Sequence, residues 1–292
     1  MDRTKIFACL IAAALMAGCS TRNTIVVGSK NFTEQLVLGE IAAQHIEQKL
    51  HTRVERKLDL GGTLLTQRAL TSGQIDLYPE YTGTAYTNVL KRQGIGDPAT
   101  VLKTVQSEYE SRFHLRWLAP LGFNDSFAMV IRGDDAHARH LKTLSEAASY
   151  SAGWTLGAGY EFLTRPDGYK NLMKSYPGLH WTGSPKSMDL GLLYQALKQR
   201  QVSMVAGNTT DGVLSALDAV VLEDDRHAFP PYQGSIVVRE DALTRFPGLE
   251  AALNDLSGKI SEATMRRLNY EVDSKHRPVR VVANEFLSGM NK

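Results

Sequence analysis

The feature that most restricts the fold of this 292-residue chain is the alternation of short apolar runs with helical patterns. Residues 24–28 and 53–58 form strand-like runs, and each is followed by a segment whose apolar residues recur at helical spacing. A third apolar run starts at Ile75. Strand, helix, strand, helix and strand within about fifty residues predict a mostly parallel sheet covered by helices.

A second α/β pattern follows in the remainder of the chain. Its strand-like runs lie at residues 128–131, 154–157, 202–206 and 219–222. Residues 188–199 predict an amphipathic helix with Ser187 as its N-cap, and a last strand at 235–239 precedes a mostly helical end. The sequence therefore predicts an α/β protein of two lobes, with chain crossings near residues 124–128 and 225–232.

Residues 73–86 form the stretch where we expect the first sheet to hold a ligand. Their apolar start predicts a strand, which we expect to break at Pro79 because proline cannot donate to a sheet ladder. Threonines, a glycine and further tyrosines follow. Open α/β sheets place ligand sites at the C-terminal ends of their strands, and tyrosine faces with hydroxyls suit a cation or a small zwitterion.

A lysine lies at the corresponding end of the first predicted strand. Lys30 follows residues 24–28 and precedes a helix, for which Asn31 and Glu34 have the spacing of a capping box. A fixed cation beside a helix N-terminus is well placed to face the anionic group of a ligand.

The N-terminal segment predicts export. Arg3 and Lys5 precede an apolar run, and small residues then lead into Cys19, as at the cleavage site of a bacterial lipoprotein. We expect residues 1–18 to be a signal peptide and Cys19 to carry a lipid that tethers the mature chain to a membrane. The alternative is a plain signal peptide with a coincidental cysteine. Cys9 is the only other cysteine, so we expect no disulfide and no thiol nucleophile in the mature domain.

Charge and motifs give no support to nucleic-acid binding or catalysis. The formal net charge is +2, without long runs of one sign. His137 and His140 are three residues apart, but no third ligand is near, so no metal site and no cofactor are predicted. The chain has no Gly-x-Ser-x-Gly motif and no Walker motif. A hydrolase or transferase is a remote alternative that no motif supports.

Four motifs, taken together, resemble one known family. They are Gly28-Ser29-Lys30-Asn31-Phe32-Thr33-Glu34-Gln35, Asp76-Leu77-Tyr78-Pro79-Glu80-Tyr81-Thr82-Gly83-Thr84, Arg165-Pro166-Asp167-Gly168-Tyr169 and Phe229-Pro230-Pro231-Tyr232. They resemble the substrate-binding proteins of osmoprotectant ABC transporters, which bind glycine betaine, choline and related quaternary amines. The resemblance implies a type II periplasmic-binding-protein fold with two hinge crossings and the ligand in the interlobe cleft. It implies a first lobe built from residues 19–125 and 227–292, and a second from residues 126–226.

The resemblance also implies a set of ligand-binding residues. In the family an aromatic cage surrounds the cationic head, and a lysine, an arginine and a threonine hold the carboxylate of betaines. The matching cage positions are Tyr81, Tyr232, Phe127 in place of a tyrosine, and Asn208 in place of another. The carboxylate positions are Lys30, Thr84 and Arg165, and Asp125 matches a polar position near the cation.

The substitution at Asn208 leaves the ligand open. A missing cage wall forfeits about 0.5–2 kcal/mol of cation–π attraction. The alternative ligands are a larger zwitterion, such as an imidazole-thione betaine like ergothioneine, and an amino acid. We expect a monomer in the periplasm or on the cell surface, delivering its solute to an ABC permease.

Overall fold

Two five-stranded sheets form the framework of the protein in the computed structural model, which describes residues 24–94 and 96–290. The first sheet has the strand order β2-β1-β3-β10-β4 and the second has the order β7-β6-β8-β5-β9. The strands are β1 Ile25–Gly28, β2 Val54–Lys57, β3 Leu77–Tyr81, β4 Leu115–Trp117, β5 Phe127–Arg132, β6 Leu156–Ala158, β7 Lys186–Ser187, β8 Met204–Asn208, β9 Ala219–Leu222 and β10 Gly234–Arg239.

Helices cover both sheets. They are α1 Thr33–Leu50, α2 Thr63–Thr71, α3 Thr82–Thr84 with a π-helical turn Ala85–Val89, α4 Pro98–Phe113, α5 Gly133–Arg139, α6 Leu144–Ala148, α7 Tyr160–Thr164, α8 Tyr169–Ser175, α9 Leu193–Lys198, α10 Glu240–Arg245, α11 Leu249–Asn254, α12 Glu262–Asp273 and α13 Val279–Met290. Short 3₁₀ turns occupy Leu190–Leu192 and Gly212–Ser215. In the described part of the chain, no helix is both long enough and apolar enough to cross a bilayer.

The chain passes between the two sheets twice. It leaves the first sheet after β4, builds β5 to β9 of the second sheet, and returns as β10. A bridge between Asn124 and Gln233 joins the two connections. This arrangement confirms the predicted α/β fold of two lobes with two crossings, and the lobe boundaries at 125/126 and 226/227 stay predictions. The predicted signal peptide (1–18) and Cys19 lie outside the described residues.

Strand direction differs from the mostly parallel prediction. β1 is parallel to β2 and β3, whereas β10 is antiparallel to both β3 and β4. In the second sheet β5 is antiparallel to β8 and β9. The crossings explain the difference, because a strand that follows a connection from the other lobe does not enter through the helical crossover that keeps strands parallel.

The predicted break at Pro79 is wrong. β3 continues through the proline to Tyr81, and Pro79 lies opposite Ile236 of β10. The N–H of Thr82 donates to Gln233 O at 3.1 Å on the β10 side. Since N–H groups alternate in direction along a strand, the position of Pro79 faces away from β10, and the missing donor does not interrupt that ladder.

Two other local predictions are also wrong. Ser187 does not cap a helix but lies in β7, and the helical part of the predicted 188–199 segment is reduced to a 3₁₀ turn and α9. Asn31 and Glu34 form no capping box, since Phe32 is the N-cap of α1 and makes no side-chain cap. Tertiary contacts decide the second case: Glu34 is 3% exposed and bonds to side chains outside its own helix.

In helix α4 the local sequence signals, and not contacts with distant segments, account for where the helix begins. Its N-cap Asp97 accepts from the N–H groups of Ala99 and Thr100, each at 3.1 Å, and proline occupies the first turn. An aspartate before a proline is a strong helix start, because the carboxylate satisfies free N–H groups and proline needs no donor there. The helix spans 98–113.

Candidate ligand-binding site

A large cavity lies between the two sheets, with a volume of about 1710 Å³. Its walls come from both halves of the molecule and from the two connections between them. All eight residues that the sequence singles out line this cavity: Lys30, Tyr81, Thr84, Asp125, Phe127, Arg165, Asn208 and Tyr232. The structure therefore brings together side chains that are spread over about two hundred residues of sequence.

The ends of strands position most of these side chains. Tyr81 is the last residue of β3, Asn208 the last of β8, and Phe127 the first of β5. Asn208 and Phe127 are direct cross-strand partners in the antiparallel pair β5–β8. Asp125 and Tyr232 lie on the two connections, where the N–H of Asp125 donates to Tyr232 O at 3.0 Å.

Arg165 makes contacts on both sides of the cavity. Its Nε and Nη2 donate to the carboxylate of Asp167 at 3.0 and 2.5 Å, and Nη2 also donates to Thr84 Oγ1 at 3.0 Å. Burial opposes ionisation of Asp167, but the guanidinium of Arg165 outweighs it and lowers the pKa of that carboxyl. Asp167 thus holds the guanidinium of Arg165 in place, and the remaining N–H groups of that guanidinium are available to donate to a bound carboxylate.

Lys30 is a buried cation with its own buried partner. Its Nζ lies 2.5 Å from Glu80 Oε1, and the side chains are 4% and 0% exposed. Glu80 also accepts from the Tyr78 hydroxyl at 3.0 Å and from the Tyr81 N–H at 2.7 Å. A buried pair of this kind is costly to break, so Lys30 is held in position beside the cavity.

Aromatic rings form one wall of the cavity. Phe127 makes edge contacts with Phe162, Phe229 and Tyr232, with centroids 4.9, 5.4 and 5.6 Å apart. The guanidinium of Arg165 lies 5.0 Å from the Phe127 centroid and 5.8 Å from that of Tyr232. Lys30 Nζ lies 5.0 Å from the Tyr81 centroid. The rings predicted to form a cage therefore already have cations of the protein on one face.

Three carboxyl groups meet at the floor of the cavity. Burial raises the pKa of Glu34 to about 7 and that of Asp211 to about 6. Burial, together with the neighbouring Glu34 and Asp211, also raises the pKa of Asp125. Of the three, only Asp125 belongs to the predicted set.

Sequence reasoning missed Glu34, Asp211 and a third cavity residue, Asn269. Glu34 was visible in a recognised motif, but its capping-box spacing gave it a different role. Asp211 lies three residues after the end of β8, and no motif marks it. Asn269 comes from α12, more than two hundred residues from Glu34, and no local signal marks it.

Within residues 24–94 and 96–290, no cluster of three His, Asp or Glu side chains has the arrangement of a metal site. His137 and His140 lie at the end of the short helix α5.

Two α/β lobes that enclose a lined cavity and are joined by two connections define a periplasmic binding protein. The chain belongs to the family of substrate-binding domains of ABC-type glycine betaine transport systems, whose family model matches residues 23–289. Members of this family are the substrate-binding parts of transport systems and not enzymes.

Individual relatives support this membership. The chain is 36% identical to the ergothioneine transport permease/ergothioneine binding protein EgtU of Helicobacter pylori over 90% of its own length, but it spans only 47% of that protein. It is 34% identical to the carnitine transport binding protein OpuCC of Listeria monocytogenes, covering 94% of this chain and 89% of that one. A crystal structure of a glycine betaine/carnitine/choline ABC transporter protein superimposes with a TM-score of 0.78 at 31% identity, covering 91% and 98% of the two chains.

Proposed function

We propose that this protein is an extracytoplasmic solute receptor that binds a quaternary ammonium compound or a betaine and delivers it to an ABC permease. One observation carries the proposal: the eight residues expected to bind such a ligand line a single cavity between the lobes. Family membership supports a small solute as ligand and a permease as partner.

Arg165, Thr84 and Lys30 form the anionic end of the proposed site. Arg165 is oriented by Asp167 and Thr84, and Lys30 is oriented by Glu80. A ligand carboxylate placed among them accepts charge-assisted hydrogen bonds from groups that are already ordered, so little side-chain entropy is lost on binding.

Tyr81, Phe127 and Tyr232 form the cationic end. A quaternary ammonium has no N–H to donate, so aromatic faces and carboxylates are the groups that recognise it. Lys30 and Arg165 already lie over one face of these rings, and this supports the proposal that the rings attract positive charge. Asn208 supplies an amide where a further ring is expected, and it supports the alternative of an amino acid or an imidazole-thione betaine.

Anchoring and assembly complete the proposal. Cys19 carries a lipid after removal of residues 1–18, and a monomer shuttles solute to the permease. Labelling with a fatty-acid analogue, with Cys19→Ser as the unlabelled control, tests the anchor.

A panel of ligands tests the ligand class. The purified protein is mixed with glycine betaine, choline, carnitine, proline betaine, ergothioneine and several amino acids. A ligand at about a hundred times its dissociation constant stabilises the fold by about 2.7 kcal/mol, which a thermal-shift measurement detects, and calorimetry then gives the affinity.

Thr84→Val removes the hydroxyl that accepts a hydrogen bond from Arg165 and should weaken the binding of ligands that carry a carboxylate. Thr104→Val is the control, since that hydroxyl bonds only within α4. If no ligand of the panel raises the melting temperature, the proposed function is contradicted.

A further inference from the structure

The two tyrosines expected at the cationic end of the site are positioned in the same way. The Tyr81 hydroxyl donates to Glu34 Oε1 and the Tyr232 hydroxyl donates to Asp167 Oδ2, each at 2.7 Å. Glu34 is 3% exposed and Asp167 is 4% exposed. A hydrogen bond from a phenol to a buried carboxylate is short and strong, so it fixes the orientation of the ring. Each tyrosine is therefore held through its hydroxyl by a buried acidic side chain.

The two carboxyl groups differ in how the protein balances their charge. Asp167 is paired with Arg165, whose Nη2 lies 2.5 Å from Asp167 Oδ2. Glu34 instead accepts from two neutral donors, the Tyr81 hydroxyl at 2.7 Å and Asn269 Nδ2 at 3.0 Å. Asp167 and Arg165 together carry no net charge, whereas an ionised Glu34 adds one negative charge to the floor of the cavity.

Within residues 24–94 and 96–290, the groups that bond to Glu34 or act most strongly on its ionisation include no cation. They are Tyr81 from β3, Asp125 from the first connection, Thr210 and Asp211 after β8, and Asn269 from α12. Lys30, whose Nζ lies 5.0 Å from the Tyr81 centroid, is paired with Glu80. Burial therefore prevails and raises the pKa of Glu34 to about 7. Near neutral pH this carboxyl is about half ionised before a ligand binds.

We infer that Glu34 is a positioning residue for the cationic head group: it holds Tyr81 through the hydroxyl and supplies a negative charge that a bound quaternary ammonium balances. This inference rests on the proposed function, since it assumes that such a ligand lies against Tyr81 in this cavity. Glu34 acts through Tyr81 and by its charge, and neither effect requires contact with the ligand. The inference adds a carboxyl group to a cationic end that otherwise consists of aromatic rings and Asp125.

Ionisation of Glu34 makes the affinity depend on pH. A bound cation favours the ionised carboxylate, so the ligand binds the ionised form of the protein more tightly and releases a proton when it binds the protonated form. The affinity should therefore rise as pH rises through about 7. Glycine betaine and choline keep the same charge across this range, because a quaternary ammonium has no proton to lose and a betaine carboxyl is already ionised. A change of affinity with pH thus reports on groups of the protein.

Calorimetry on the purified protein tests the inference, with glycine betaine and with choline at several pH values between about 6 and about 8. An opposite charge nearby lowers the pKa of a carboxyl by about one to three pH units. The affinity for either ligand should then be about five- to tenfold higher at the upper end of this range than at the lower end. Titration near neutral pH in two buffers of different ionisation enthalpy should detect the released proton.

Glu34→Gln connects the pH dependence to this residue. The amide keeps an oxygen that accepts from the Tyr81 hydroxyl but has no charge, so the affinity at about pH 8 should fall about tenfold or more. A residual change of about twofold across the pH range should remain from Asp211, whose pKa is raised to about 6. Glu262→Gln, at an exposed position at the start of α12, makes the same charge change and should keep the affinity and its pH dependence. Asp125→Asn should keep the pH dependence as well, because Glu34 is still present.

Two tyrosine variants test whether Glu34 acts through Tyr81. Tyr81→Phe keeps the ring and removes the hydroxyl whose hydrogen bond lowers the pKa of Glu34, so the affinity should fall and the midpoint of its pH profile should move to higher pH. Tyr232→Phe is the matched control, because it removes the same kind of bond to a carboxyl that is paired with Arg165, and the midpoint should not move. A role in folding alone would lower the melting temperature of both variants without moving either midpoint. Circular dichroism verifies that each variant is folded.

Each contrary outcome has a distinct meaning. If the ligands bind but their affinity does not change with pH, the inference is overturned and the proposed function stands. A pH dependence that persists in full in Glu34→Gln overturns the assignment to Glu34, and its loss in Asp125→Asn would assign it to Asp125. If the midpoint moves equally in Tyr81→Phe and Tyr232→Phe, Glu34 does not act through Tyr81. If no ligand of the panel binds, the proposed function itself fails.

Discussion

Glu161 and Thr63 join the two halves of the molecule across the mouth of the cavity. Glu161 Oε1 accepts from the Thr63 N–H at 3.0 Å, and Oε2 accepts from its hydroxyl at 3.2 Å. Thr63 is the first residue of α2, so the carboxylate from α7 satisfies one free N–H at a helix N-terminus. Glu161 also lies 3.8 Å from Arg165, which connects this contact to the ligand site.

Gly62→Ala should weaken the contact that holds the two lobes together over the cavity, without unfolding the protein. A Cβ at Gly62 would lie 2.0 Å from Glu161 Oε1, whereas the φ of −75° at this residue suits alanine. The displaced carboxylate no longer bonds to Thr63, and we expect ligand affinity to fall about three- to tenfold. Calorimetry with the tightest ligand of the panel measures this. Gly289→Ala is the control, since its Cβ meets nothing within 4 Å. Unchanged affinity in Gly62→Ala would show that the Glu161 contact does not contribute to closure.

The unliganded protein should lose stability as pH rises from about 5 to about 8, through Glu34. The pKa of this group is about 7 in the folded protein against an ordinary 4.5, so the folded state holds the proton more tightly. Its contribution is full below the ordinary pKa and is lost as pH rises through the folded pKa, by up to about 3 kcal/mol. Asp211, with a pKa raised to about 6, acts in the same direction.

A comparison with Glu34→Gln isolates this effect. Burial lowers the pKa of His45, which acts in the opposite direction in part of the same range, so the difference between wild type and variant is the informative quantity. Denaturant unfolding at several pH values should give a difference that grows in favour of Glu34→Gln above about pH 6. A difference that is independent of pH would contradict the burial of an easily protonated Glu34.

Arg165→Lys should lower the affinity for ligands that carry a carboxylate more than the affinity for ligands that lack one. Lysine keeps the charge but cannot donate simultaneously to Asp167 and Thr84 as the guanidinium does. We expect a loss of about tenfold or more for glycine betaine and a smaller loss for choline, measured by calorimetry. Arg139→Lys, at the end of α5, is the control. Equal losses for the two ligands would mean that Arg165 acts through the fold and not through the carboxylate.

Sequence reasoning selected candidate residues that the structure brings to one cavity, but it did not predict their surroundings. The strand-end pattern singled out the segment that contains Tyr81 and Thr84, because the ends of strands in an α/β sheet converge on one cleft. The family resemblance alone added Arg165, which follows α7 and not a strand. The same reasoning misread Glu34, whose local spacing indicates a cap although its partners, Tyr81 and Asn269, come from other parts of the chain. Contacts between distant segments leave no periodicity, and they decide which buried groups lack a partner.

Asn208→Tyr should shift selectivity towards fully methylated heads. Asn208 lies opposite Phe127 and lines the cavity, so a larger side chain would extend into the cavity, and the Asn208 N–H donates to Asp211 at 2.8 Å. The added ring offers a further cation–π face, which should improve glycine betaine binding about three- to thirtyfold. Asn208→Leu is the matched control, because leucine fills space without a π-face. If both variants improve betaine binding equally, volume rather than ring electrostatics accounts for the gain, and the cage interpretation of this position fails.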